Sequence, residues 1–126
     1  IYEVVRYLRR KGIFHGDLKF ENILIDSEFG IKLVDFGLAL PLPRDLLNRE
    51  GRLHQVFGTE HLFAPEVLSE DGYLASDSES WSLGVLLYML KLFKRPFENH
   101  MEAVNNRLKL PLNDENGKQN LANELY

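Results

Sequence analysis

The sequence predicts a mainly α-helical body that carries one small antiparallel β-hairpin. Three observations lead there. Apolar residues recur with helical spacing at the start of the chain and again around residue 80. Two short aliphatic runs flank a turn between residues 23 and 33. From Leu38 to Phe57 no periodicity of either kind survives.

In chain order, Ile1, Val4, Val5 and Leu8 fall at i, i+3, i+4 and i+7, the stripe of an amphipathic helix, and Gly12 ends it. Ile23-Leu24-Ile25 reads as a strand, Asp26 to Gly30 as its turn, and Ile31-Lys32-Leu33 as the returning strand. Pro41, Pro43, Gly51 and mixed charges make Leu38 to Phe57 a long surface loop, and loops of that length inside compact domains are usually functional. Ser76-x-x-Glu79 has the spacing of a capping box in front of an apolar helix from Trp81 to Leu92. That helix is apolar almost all round, which places it at the centre of a core. Pro96 closes it, and a shorter helix is expected over Met101 to Leu108 with Met101, Val104 and Leu108 on its inner face. The tail from Asn113 to Tyr126 begins another, with Leu121, Ala122 and Leu125 inward.

The 126 residues have room for one domain or part of a larger one, and an apolar share of 44% is ordinary for a globular protein. A formal charge of −4 argues against a nucleic-acid partner. The one basic cluster, Arg6, Arg9, Arg10 and Lys11, has the spacing of a solvated helix face. Without cysteine there are no disulfides and no thiolate metal sites. The longest apolar run, Leu83 to Leu90, is far short of the roughly 20 residues a membrane helix needs. The chain opens at Ile1 inside a helical pattern and so reads as a fragment.

Three motifs follow one another in a fixed order. His15-Gly16-Asp17-Leu18-Lys19-Phe20-Glu21-Asn22 comes first, then Asp35-Phe36-Gly37, then Ala64-Pro65-Glu66 with Gly58-Thr59 ahead of it. Any one of them alone is a weak signal. In this order, with Trp81-Ser82-Leu83-Gly84 behind them, the chain resembles the eukaryotic protein kinase family of the serine/threonine type. The resemblance runs from Ile1 to about Phe97 and extends to Tyr126.

The resemblance implies an α+β fold in the full kinase domain, of which residues 1–126 would be the C-terminal-lobe part, without the N-lobe or the last helices. It implies phosphoryl transfer from ATP to serine or threonine hydroxyls of a protein substrate, with Mg²⁺, in an intracellular, cytoplasmic setting. Such transfer needs positioning and charge neutralisation more than covalent chemistry, because the transition state is loose and its oxygens are negative. Asp17 is then the base that orients the hydroxyl, and Lys19 presents an ammonium to the moving phosphoryl group. Asn22 and Asp35 supply the neutral and the charged oxygen of a Mg²⁺ site that shares its cation with phosphate and water. Lys19 also marks the serine/threonine class, as does Thr59, which in the family bonds the catalytic Asp and Lys. His15, Phe36 and Gly37 take structural roles, and Glu66 would pair with an arginine that no candidate in this chain supplies.

Four departures from the family pattern qualify that picture. Gly16 stands where many members carry an arginine that a phosphate on the activation segment neutralises. Leu38 to Phe57 contains no Ser, Thr or Tyr, so an activation segment free of phosphate control is expected. Phe20 replaces a proline, and Glu60 and Leu62 replace a proline and a tyrosine before Ala64. Glu79 replaces an aspartate whose carboxylate holds the backbone of the catalytic loop; it is one methylene longer and also the candidate partner of Ser76. An alternative function, a pseudokinase serving as a binding or scaffolding module, draws on Gly16 and Glu79. A metal hydrolase built on His15, Asp17 and Asp35 would leave the later motifs without a purpose. The chain contains no Gly-rich phosphate loop, so the 126 residues alone are expected to bind ATP poorly.

Overall fold

A computed structural model describes residues 1–42 and 52–105. The first helix, α1, spans Tyr2–Arg10 and buries Val5 and Leu8. Its basic face is solvated, as expected: Arg6 pairs with Glu3 at 2.9 Å, and the Lys11 ammonium lies 5.6 Å from the centre of the Tyr7 ring. The turn at Gly12 leads into β1, Ile13–Phe14, then the loop of the first motif. A single 3₁₀ turn, Phe20–Asn22, feeds β2, Ile23–Ile25, which pairs antiparallel with β3, Ile31–Leu33. The turn between them is pinned by Asp26, whose Oδ1 accepts the Glu28 and Gly30 N–H groups, and Asp26 also pairs with Lys32 across the hairpin.

A second two-stranded sheet was not expected from the sequence. β4, Leu40–Pro41, lies inside the predicted loop and pairs antiparallel with β1, Phe14 opposite Leu40. The same predicted loop is anchored again near its other end. Leu53 and Tyr73 exchange both backbone hydrogen bonds, and the Tyr73 hydroxyl donates to the Gln55 carbonyl at 2.9 Å. Two further 3₁₀ turns, Glu60–Leu62 and Pro65–Leu68, bring the chain to α2, Ala75–Leu92, and then to α3, His100–Val104.

The core has two parts. Val5, Leu18, Leu62, Val85 and Leu86 form one cluster, and Ala64, Val67 and Tyr73 the other. Trp81 packs against both and stacks on Phe97 at 5.6 Å.

Three expectations about helices are corrected. The capping box does not form: α2 begins at Ala75, so Ser76 lies inside its first turn, where its hydroxyl meets Asp77, and Glu79 turns elsewhere. α2 is also not enclosed by the described residues. It buries Ala75, Ser78, Glu79, Leu83, Val85 and Leu86, while Leu87 and Leu90 stay about half exposed, because the other described elements pack on one side. In α3 it is His100 and Ala103 that turn inward, with His100 edge-on to Phe63, while Met101 and Val104 are exposed. Leu108 and the expected helix from Asn113 to Tyr126 lie outside the described residues.

Candidate functional site

The site is built on the loop between β1 and β2. His15 is fully buried beneath it, and its ring is fixed from both sides. Nε2 lies 3.1 Å from the Val34 carbonyl, which only accepts, and Nδ1 lies 3.3 Å from the Asp17 N–H, which only donates. Both contacts are satisfied at once by the neutral imidazole protonated on Nε2. Burial pushes the His15 pKa below its usual value, in keeping with that tautomer. The Phe36 ring meets it edge-on at 4.9 Å and stays 47% exposed.

Asp17 is the most connected side chain of the site. Its Oδ1 accepts the Thr59 hydroxyl at 2.7 Å. Its Oδ2 lies 2.6 Å from the Lys19 ammonium and accepts from Asn22 Nδ2 at 3.3 Å, and the same amide donates to the Asp17 carbonyl at 2.9 Å. Burial alone would raise the Asp17 pKa. The hydrogen bonds from Lys19 and Thr59 outweigh it and hold the carboxyl below its usual value. Asp17 is therefore an anion at neutral pH, and the bond to Asp17 in turn raises the Lys19 pKa.

The β2–β3 hairpin brings two oxygen donors to its open end. Asn22 directly precedes β2, and its carbonyl accepts the Val34 N–H at 2.9 Å, which places Asp35 one residue beyond that closing bond. Asp35 adopts φ 62°, in the left-handed region that aspartate tolerates better than most side chains, and its Oδ1 accepts the Gly37 N–H at 3.1 Å. With Asn22 Nδ2 committed to Asp17, the amide oxygen is the group left for a cation. An amide oxygen and a carboxylate suit Mg²⁺ that completes its octahedron with phosphate and water. Among the described residues no group of three or more His, Cys, Asp or Glu could hold a metal ion by itself.

Glu79 reaches the loop from α2. Its Oε1 accepts the His15 backbone N–H at 2.9 Å, so the extra methylene is accommodated, and the side chain is 5% exposed. Burial raises its pKa to about 7, against the pull of the His15 hydrogen bond and the Arg9 charge. Thr59 is joined to the site through Asp17 as described. Ala64 is fully buried, while Glu66 is partly exposed with no ion-pair partner among the described residues.

Two contacts of the site carry no sequence signal. Ser82, inside α2, donates to the Leu62 carbonyl at 3.0 Å and ties the helix to the segment after Thr59. Gly16 and Gly58, both at positive φ, bring three backbone runs into direct contact, since a Cβ on Gly16 would lie 2.6 Å from the Leu38 oxygen and one on Gly58 would lie 2.5 Å from the Gly16 oxygen. The two positive φ values require glycine-like backbone, but only the folded chain reveals what lies against them.

Comparison with known proteins places these motifs in a wider group. The sequence model of the protein kinase domain matches residues 1–122. A rice (Oryza sativa subsp. japonica) protein, CBL-interacting protein kinase 1, is 43% identical over 99 residues, which cover 79% of this chain and 21% of the relative. CBL-interacting serine/threonine-protein kinase 1 of Arabidopsis thaliana is 42% identical over 100 residues, covering 79% of this chain and 22% of the relative. Rice CBL-interacting protein kinase 17 is 44% identical over 95 residues, covering 75% and 20%. The chain thus spans about a fifth of the length of these relatives.

Proposed function

Because this chain belongs to the protein kinase family, on its serine/threonine branch, we propose that it contributes the transfer residues of an ATP-dependent protein serine/threonine kinase. In this reading residues 1–126 are the C-terminal-lobe part of the domain and act together with a nucleotide-gripping lobe. The single observation that carries it is the Asp17 carboxylate, held anionic with Thr59 on one oxygen and Lys19 and Asn22 on the other.

The chemistry follows from that arrangement. A substrate serine or threonine hydroxyl donates to Asp17, which aims a lone pair of the hydroxyl oxygen at the γ-phosphorus of ATP. As the new O–P bond forms and the bond to the β-phosphate bridging oxygen breaks, the hydroxyl proton passes to Asp17 and ADP leaves. A carboxylate of lowered pKa is a weak base, so its main contribution is orientation, with proton transfer late. Lys19 keeps positive charge beside that oxygen. Asn22 and Asp35 would hold Mg²⁺, which when bound offsets the negative charge of the phosphates. ATP dependence carries the intracellular, cytoplasmic location with it. Among the described residues no helix is long and apolar enough to cross a membrane.

The pseudokinase reading drew on Gly16 and Glu79, and the 2.9 Å bond to His15 argues against the Glu79 part of it. A His15-centred metal hydrolase is disfavoured as well, since both ring nitrogens of His15 have backbone partners. The relatives' names describe them as CBL-interacting; the reading takes over only the phosphotransfer, for which the residues are present. In the complete protein, Asp17→Asn should abolish phosphate transfer to a serine/threonine peptide while ATP affinity stays unchanged. Wild-type turnover by that variant would overturn the proposal.

A further inference from the structure

We propose that the crevice between α2 and the loop that carries Asp17 is a binding site for one ordered water. The Glu79 carboxyl and the Ser78 hydroxyl hold it from α2, and backbone N–H groups hold it from the opposite wall. The site goes beyond the phosphotransfer reading and stands on geometry that does not depend on the role of Asp17.

The loop that carries Asp17, the run around Thr59 and the first turns of α2 wall the crevice, whose volume is about 20 Å³. A water needs roughly 10–15 Å³ and two to four polar partners, so there is room for one and not for two. Several polar side chains on the wall are already committed. Thr59 donates to Asp17, whose oxygens also take Lys19 and Asn22. The Ser82 hydroxyl lies on the Leu62 and Ser78 carbonyls.

Two side-chain oxygens of the wall are left over. Glu79 gives Oε1 to the His15 N–H, and its Oε2 has no partner among the described residues. The Ser78 hydroxyl has none among them either. Glu79 and Ser78 are only 5% and 7% exposed, yet neither oxygen is sealed off by protein. On residues this buried, at the wall of a crevice, such oxygens open into the crevice. Across from them, the N–H groups of Gly16 and Gly58, which also line it, have no acceptor among the described residues.

Buried polar groups left unpaired are costly, and water is the ligand that answers this set. It donates to Glu79 Oε2 and to the Ser78 hydroxyl oxygen, and it accepts from the N–H of Gly16 or Gly58. It also suits both protonation states of Glu79, whose pKa of about 7 puts either form within reach near neutrality. A carboxylate accepts from the water and a carboxyl donates to it, whereas a cation suits the carboxylate alone. Glu79 then holds the loop side of the crevice twice, directly at the His15 N–H and again through the water.

The test is a crystal structure of the complete protein, at a resolution that shows ordered water, for wild type and Ser78→Val. Wild type should show one density peak about 2.7–3.1 Å from both the Glu79 carboxyl and the Ser78 oxygen, within reach of a Gly16 or Gly58 nitrogen. Ser78→Val puts a methyl group where the hydroxyl meets the water, and the peak should be lost. In solution, the same water should give a direct nuclear Overhauser effect to the Gly16 or Gly58 N–H, present in wild type and absent in the variant. Should the variant not fold, the wild-type density and the wild-type effect decide between them. A wild-type crevice without density would overturn the proposal, as would a peak out of reach of Glu79 or one that persists in Ser78→Val. Contacts as short as about 2.0–2.5 Å would mark a cation and overturn it as well.

Discussion

The backbone N–H of His15 and the carboxylate of Glu79 meet at 2.9 Å across 64 positions of sequence, in a setting that leaves Glu79 only 5% exposed. This bond joins the first motif to the long helix α2. Cutting it leaves a buried donor unpaired, which typically costs about 1–3 kcal/mol. Glu79→Ala should therefore lower the thermal midpoint and also reduce kcat, because the loop holding Asp17 loses its anchor. Unchanged turnover in a destabilised but folded variant would show that the bond serves stability alone. Glu79→Gln keeps an acceptor and should retain most of the activity.

The same residue makes a pH prediction. Its pKa rises from 4.5 to about 7 on folding, so between those values the folded protein keeps a proton that the unfolded chain has released. Stability therefore falls as pH rises from about 4.5 and levels off above 7, by up to ~3 kcal/mol for a shift of that size. His15 works the other way: its pKa is lowered from 6.5, so its contribution is full above 6.5 and is lost as pH falls. The two oppose each other in mildly acid solution, and Glu79 acts alone above 6.5. Denaturant unfolding of wild type and Glu79→Gln between pH 6.5 and 8 should show the fall in wild type only.

Thr59→Ala removes one of the bonds that hold the Asp17 carboxyl below its usual value. The Asp17 pKa should move up, and the acid limb of the kcat/KM profile with it. A tenfold loss in kcat is about the size expected for a neutral hydroxyl bonded to a carboxylate, roughly 1.4 kcal/mol. An unshifted acid limb would count against Asp17 as the group that limits activity at low pH.

Leu38 to Phe57 has no hydroxyl side chain, so phosphatase treatment of the complete protein should leave its turnover unaltered. Mass spectrometry that finds a stoichiometric phosphate on Thr59, with higher activity in the phosphorylated form, would contradict this. Such a phosphate would also have to replace the hydroxyl that Thr59 now gives to Asp17.

The 126 residues expressed alone should bind ATP only weakly, because they contain no Gly-rich loop. Isothermal titration showing saturable micromolar affinity would mean that the described site grips the nucleotide by itself.

What the sequence made readable, and what it hid, divides along physical lines. α1 and the β2–β3 hairpin were readable because their signals are local: a stripe with period 3.6 and two aliphatic runs around a turn. β1 and β4 were not, since strands of two residues leave no alternation to detect and pair only through the fold. The inner face of α3 was misread because His100 and Ala103 look less apolar than Met101 and Val104, yet they are the ones that meet Phe63 and its neighbours. Asp17, Lys19 and Asn22 could be expected to meet because they share one short motif, and the structure joins them. Glu79 had two candidate partners in the sequence, and only three-dimensional proximity to His15 decided between them. The contact of Gly16 with Leu38 is backbone on backbone, which no side-chain pattern encodes.

Trp81, the one tryptophan of the chain, lies where both hydrophobic clusters meet and faces Phe97 with the two rings nearly parallel. Nature has thereby installed a single fluorophore at the junction. In residues 1–126 expressed alone, its emission can be followed without labels. A red shift would report solvent entering between the two halves of the core, so the same substitutions made in residues 1–126 can be checked for intact packing there.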